Sequence, residues 1–169
     1  MVKKVISICL ICSLFHISAI VLANIEEKIP EHQMENLKGF FCYEEGEYRE
    51  AIKYFLSALE FNPEYVTALN NLGSSYYQLK DYDQAIYYFE MVLNLDKNYI
   101  KAYLNLGACY FWKGRYLKAY NIYQRSKTIN PQYTEARIDS KKYTLLIENR
   151  LKENPEDEEL RKIYNKLLE

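Results

Sequence analysis

Apolar side chains recur at steps of three and four through most of the chain, and in its middle they sort into two consecutive faces. Leu69, Leu72, Gly73, Tyr76 and Tyr77 share one side of a helix; beyond the polar step Lys80-Asp81, Tyr82, Ala85, Ile86, Phe89, Val92 and Leu93 share one side of another. The spacing predicts a helical hairpin that turns at Lys80-Asp81. The pattern then returns with a step of 34 residues. Gly39, Gly73 and Gly107 stand in register, as do Tyr48, Tyr82 and Tyr116, then Ala51, Ala85 and Ala119, then Phe55, Phe89 and Tyr123, then Tyr43, Tyr77 and Phe111. The joints repeat too: Asn62-Pro63-Glu64-Tyr65, Asp96-Lys97-Asn98-Tyr99 and Asn130-Pro131-Gln132-Tyr133. A fixed period of this length marks stacked helical units, each burying its apolar face only against a neighbour. A glycine inside a helix costs about 1 kcal/mol relative to alanine, so one recurring in every unit predicts a close helix approach that offsets the cost. The recurring alanines predict the same in the second helices, with the aromatics filling the wedges between hairpins.

Leucine-glycine, aromatic, small alanine, aromatic and proline at these offsets resemble the tetratricopeptide repeat, a helix-turn-helix unit stacked into a superhelix. The resemblance covers 32–133, in units 32–65, 66–99 and 100–133, and implies an all-α, right-handed α-solenoid. Three positions depart from the family pattern: Lys38 takes the leucine place before Gly39, Cys42 an aromatic place, and Lys97 the proline place of the second joint. After Tyr133 the period fades, and 134–169 read as a C-terminal capping hairpin. Its first helix is expected over 134–152, carrying Ala136, Tyr143, Ile147 and Leu151 on one side. A second is expected to start at Asn154-Pro155-Glu156-Asp157, a capping side chain, a proline and acids near the positive dipole end.

The other end has export grammar. Lys3-Lys4 precede Val5 to Leu22, 18 residues without a charge, which end in Val21-Leu22-Ala23 before Asn24. Residues 1–23 are expected to be a signal peptide cut after Ala23; the run also suffices to span a bilayer as a retained anchor. Either arrangement delivers the rest outside the cytoplasm, in a periplasmic or other extracytoplasmic place, with contact to the membrane only through an uncleaved segment. Residues 24–31 read as a linker. Cys9 and Cys12 belong to the apolar run as small fillers, and Ile8 and Ile11 before them do not match the small residue that a lipoprotein signal places there.

Composition narrows the chemistry. Hydrophobic residues at 49% with only 5 Gly and 4 Pro describe a folded chain. Lys and Arg number 22 against 23 Asp and Glu, without the cationic excess that phosphate neutralisation demands, so no nucleic-acid partner is expected. His16 lies in the export segment, leaving His32 as the one other histidine, so neither a histidine triad nor a multi-histidine metal site is expected. The glycine-rich phosphate loops are missing, and Glu44-Glu45, Asp81/Asp83 and Glu158-Glu159 fall in polar turns or helix starts. No catalytic residue, metal or cofactor is expected. Cys42 and Cys109, 67 residues apart on the first helices of the first and third units, are expected about 15–20 Å apart and unbridged.

What remains is recognition. The resemblance implies an inner, concave face lined by the first helix of each unit, which in this family usually holds a peptide or partner helix. It places Asn36, Phe40, Tyr43, Asn70, Tyr77, Gln78, Lys101, Phe111 and Trp112 there. The amides suit a peptide backbone and the rings its side chains, while Tyr43, Tyr77 and Phe111 suit helix packing equally well. Trp112, the sole tryptophan, stands outside the recurring set. The family's lysine-asparagine clamp for a terminal carboxylate is incomplete, with Phe40 and Asn105 at two of its places. The expected function is a non-enzymatic protein-interaction adaptor or scaffold of the cell envelope, with a self-assembling structural subunit as the alternative.

Overall fold

Each unit begins with a helix that ends at a left-handed residue, and this stop makes the hairpin. The computed structural model describes residues 29–138 and 140–168; the expected signal or anchor, and 24–28 of the linker, lie outside them. Three hairpins follow one another: α1 (Glu31–Glu44) with α2 (Tyr48–Phe61), α3 (Val66–Gln78) with α4 (Tyr82–Leu95), and α5 (Ile100–Trp112) with α6 (Tyr116–Ile129). At the three turns Gly46, Lys80 and Gly114 have φ of 79°, 62° and 72°. Their N–H groups donate to Tyr43, Tyr77 and Phe111 carbonyls, and the next residues donate to Cys42, Tyr76 and Tyr110, closing the same C-terminal cap three times. Asp81 also caps α4, its Oδ1 accepting from Gln84 N at 3.2 Å.

Lys80 is the one non-glycine residue of the three, and the left-handed region costs an L side chain about 1–2 kcal/mol. Lys80→Gly is therefore expected to stabilise the fold by about 0.5–1 kcal/mol, part of the gain being lost to the freer unfolded chain. Denaturant unfolding that shows a loss instead would mean that Lys80 is held by more than its backbone.

Between hairpins the joints close by side-chain turns. Asn62 Oδ1 accepts from Glu64 N and Asp96 Oδ1 from Asn98 N, so the second joint keeps its turn although Lys97 replaces proline. Successive hairpins stack, with α2 on α3 and α4 on α5. First helices also touch one another while second helices stand farther apart, which curves the stack with α1, α3 and α5 on its inner side. The chain is a right-handed α-solenoid. Ala51, Ala85, Phe55, Phe89, Leu72 and Val92 are fully buried between the layers.

The glycine expectation holds in two units and fails in the third. A Cβ on Gly39 would lie 2.6 Å from Phe55 Cε1 and one on Gly73 2.7 Å from Phe89 Cε1, whereas at Gly107 the nearest atom is Ile122 Cγ2 at 3.4 Å. No ring lies over Gly107; Tyr123 instead approaches Tyr143, their ring centres 6.4 Å apart.

The C-terminal cap also departs from expectation. The helix expected over 134–152 is two: α7 (Pro131–Arg137) and α8 (Ser140–Glu153), separated at Ile138, which is extended at φ −117° and ψ 109°. The third joint starts a helix at once, because Pro131 occupies its first position and Asn130 Oδ1 accepts from Tyr133 N. Tyr143, Ile147 and Leu151 pack inward as expected, but Ala136, beyond the break, is exposed. The last helix, α9 (Glu158–Leu168), is capped by Asp157, whose Oδ1 accepts from Leu160 N at 2.9 Å; Asn154 and Pro155 belong to the preceding turn. It rests on α6 and completes that helix's start: Glu159 Oε1 accepts from Leu117 N at 2.7 Å, where Arg115 at the cap position offers no acceptor. Among the described residues no helix is long and apolar enough to cross a membrane.

Cys42 and Cys109 are both unbridged and buried. Burial pushes the Cys109 thiol up to about 12, so it stays protonated at neutral pH. A chain starting at Asn24 is expected to show two thiols when denatured without reductant and to react slowly with a thiol reagent when native; a denatured count of zero would contradict the stacking order.

Candidate functional site

The inner face is knit together across the hairpins by side chains 35 residues apart. Asn71 Nδ2 donates to Asn36 Oδ1 at 3.1 Å, Gln78 Nε2 to Tyr43 Oη at 3.1 Å, and Trp112 Nε1 to Tyr77 Oη at 2.9 Å. Adjacent first helices are therefore tied at their amide positions and again at their aromatic ends. The step is one more than the repeat. Burial pushes the Tyr77 hydroxyl above the ordinary tyrosine range, opposed by the Trp112 N–H, which favours the phenolate.

Trp112 is thus not outside the recurring set. It takes the structural place of Gln78, one unit on, and makes the same bond to the tyrosine before it. Its indole remains 55% exposed and meets Phe111 edge-on at 5.9 Å. Phe111 is buried, with Tyr116 at 5.4 Å and Tyr143 at 5.7 Å, so of the two uses open to that ring the structure shows packing. Tyr43 and Tyr77 are half-buried against Tyr48 and Tyr82, and their hydroxyls each hold a rung.

The remaining candidates divide by exposure. Phe40, Gln78 and Lys101 are exposed on the first helices, and Asn36 is half-buried in its rung. Asn70 is buried, and its Oδ1 has no hydrogen-bond partner among the described residues. The rung that the 35-residue step would give it is not made: Asn105 Nδ2 donates instead to Ser74 Oγ, at a long 3.4 Å. Asn71, Ser74 and Asn105 therefore belong to the face as well, which the spacing of Asn71 and Asn105 by 34 residues already signals.

At the C-terminal end the face runs into a cleft of about 460 Å³ between α5, α6 and the cap. Leu104, Ala108 and Trp112 line it from α5, Tyr143 and Leu146 from α8. Burial pushes the Tyr143 hydroxyl up to about 12, and its Oη has no hydrogen-bond partner among the described residues. Nothing in the sequence pattern announces this cleft, which follows from the break at Ile138. No group of three or more His, Cys, Asp or Glu among the described residues is placed to hold a metal ion.

Comparison with known proteins agrees with this architecture. No curated protein sequence matches the chain. Among solved structures, the TPR domain of Sgt2 from Aspergillus fumigatus is similar at 22% identity and a TM-score of 0.63, over 72% of this chain and 83% of that one. The OM64 TPR domain of Arabidopsis follows at 22% identity and a TM-score of 0.60, over 63% of this chain and 93% of that one. The first TPR of Spaghetti (RPAP3), bound to the HSP90 peptide SRMEEVD, has 20% identity and a TM-score of 0.58 over 81% and 90%. These likenesses concern the fold. Tetratricopeptide repeat profiles match residues 31–98 and 76–140, a contiguous stretch that takes in all three hairpins and α7 of the cap. With its 34-residue period, its stacked hairpins and these matches, the chain belongs to the tetratricopeptide repeat family.

Proposed function

We propose that this protein is a non-enzymatic interaction module that holds a peptide or an extended segment of a partner protein on the inner face of its solenoid. The carrying observation is the row of rungs Asn36–Asn71, Tyr43–Gln78 and Tyr77–Trp112. They fix side chains of three helices in one surface before any partner arrives, which lowers the ordering cost of binding. Exposed Phe40, Gln78, Lys101 and Trp112 supply apolar, amide and cationic contacts between and beside the rungs. The peptide seen on the RPAP3 domain supports this reading by analogy of fold. The test is a photoreactive residue placed in cells at Gln78 on the inner face, or at Tyr87, exposed on the outer helix α4. A partner crosslinked from Gln78 and not from Tyr87 is the expected result, and the reverse would move binding to the outer side. Crosslinks between copies of the chain, with a size that grows with concentration in light scattering, would favour the self-assembling subunit.

The place of action rests on Lys3-Lys4, the apolar run and Val21-Leu22-Ala23, all outside the described residues. A cell-envelope adaptor is expected to begin at Asn24 when its N-terminus is sequenced from the envelope fraction. Intact Met1 in membranes would favour the anchor, and intact Met1 in soluble cytoplasm would remove the envelope role.

A further inference from the structure

We propose that the cleft between the third hairpin and the cap is an anchor site for an extended peptide, selecting a large apolar side chain with a carboxylate beside it. The inference rests on the inner-face reading and names the chemistry that face selects. The cleft is continuous with the face, since Leu104, Ala108 and Trp112 line it on the helix that also carries Lys101. Its volume, about 460 Å³, lies within the range of about 300–1,000 Å³ in which ligand pockets fall.

Space exists here because two features of the first two units are missing from the third. Phe55 and Phe89 fill the positions above Gly39 and Gly73, while Gly107 has no ring over it. The chain also breaks at Ile138, so no regular fourth first-helix lies in register against α5. The walls are then Gly107, Ala108, Phe111, Leu146 and the ring of Tyr143, an apolar lining suited to an apolar side chain.

The polar groups set the second requirement. Arg137 is the one charged side chain among the described residues that line the cleft. It is exposed, its guanidinium 5.3 Å from the centre of the Tyr133 ring, and so stands at the rim rather than in the depth. Its charge favours a carboxylate over a cation on an entering peptide.

Trp112 lines the cleft and is the sole tryptophan, so its emission reports occupancy. The probe is a capped peptide with a central Phe-Glu pair in a Gly/Ser background, titrated into the full chain; Ala-Glu and Phe-Lys versions are the comparisons. Saturable binding of Phe-Glu is expected, with both comparisons weaker by about tenfold or more. Arg137→Glu should reverse the preference towards Phe-Lys, and Ala108→Phe, which fills the cleft, should abolish binding of all three. Each variant is first checked for an unchanged helical signal and melting point. Should Ala108→Phe fail to fold, the reversal by Arg137→Glu still decides. Binding that ignores the Phe or the Glu, a preference unmoved by Arg137→Glu, or no saturation up to about 1 mM would each overturn the proposal. Asn36→Ala and Gln78→Ala, away from the cleft, separate it from the wider reading. If they weaken the peptide or the crosslinked partner while folded Arg137→Glu and Ala108→Phe do not, the inner face stands and the cleft falls. If only the cleft variants act, the cleft stands alone.

Discussion

Phe89→Ala is expected to cost about 3–5 kcal/mol of stability, and its presence should reverse the sign of a second change, Gly73→Ala. Phe89 is fully buried with its ring pressed on Gly73, and a Cβ there would lie 2.7 Å from Cε1 and 3.0 Å from Cδ1. A buried ring cannot swing aside, so Gly73→Ala alone incurs an overpacking loss of about 1–3 kcal/mol against a gain of about 1 kcal/mol in helix propensity. A net loss of up to about 2 kcal/mol is expected. With Phe89 already truncated the obstacle is gone, and Gly73→Ala should then stabilise by up to about 1 kcal/mol, a coupling that a double-mutant cycle of denaturant unfolding reads directly. Gly107→Ala supplies the internal comparison. Its Cβ would come no nearer to any atom than 3.4 Å, to Ile122 Cγ2, an ordinary contact, so the propensity gain of about 0.5–1 kcal/mol should survive. Equal effects at Gly73 and Gly107 would mean that the three hairpins pack alike and that the third is not open.

Trp112→Ala is expected to weaken partner binding by about 2 kcal/mol or more, with a smaller effect on folding. The indole is 55% exposed, so truncation leaves little cavity, and the lost bond to Tyr77 is a neutral one worth about 0.5–1.5 kcal/mol. Trp112→Phe separates the two contributions, keeping a ring beside Phe111 while removing the N–H that holds the rung. A large loss in both variants assigns the effect to the rung, and a loss in Ala alone assigns it to the ring. Tyr87→Ala, exposed on α4, serves as the outer-face control. If folded Trp112→Ala binds like wild type and Tyr87→Ala does not, the partner uses the outer helices.

Helix identity, hairpin pairing and the family were legible because they depend on short-range periodicity. Apolar positions at steps of three and four mark a helix face, and the same residue types 34 apart mark a repeated unit. One further local signal stands in the sequence: Gly46, Lys80 and Gly114 are also 34 apart and end the first helices in the left-handed region, where a lysine disguises the pattern.

What only the tertiary structure decided are the relations between units. The same glycine is a tight contact in two hairpins and an open position in the third, since its role depends on where a ring from another helix falls. Trp112 looked unique by residue type, yet shares a bond with Gln78 that appears only when neighbouring helices are set side by side. Two nearly identical joints, Asn62-Pro63 and Asn130-Pro131, lead into different starts, a turn in one case and an immediate helix in the other. The break at Ile138 and the reach of Glu159 to the start of α6 likewise depend on long-range packing, as does the cleft that the break leaves. Local propensity and periodicity act over a few turns of chain and are written in neighbouring residues. The fit of one hairpin on the next depends on contacts between residues far apart in the chain, such as Tyr110 with Glu90 and Trp112 with Tyr77, and at the solenoid's end, where the repeat loses its register, no periodic rule remains to specify it.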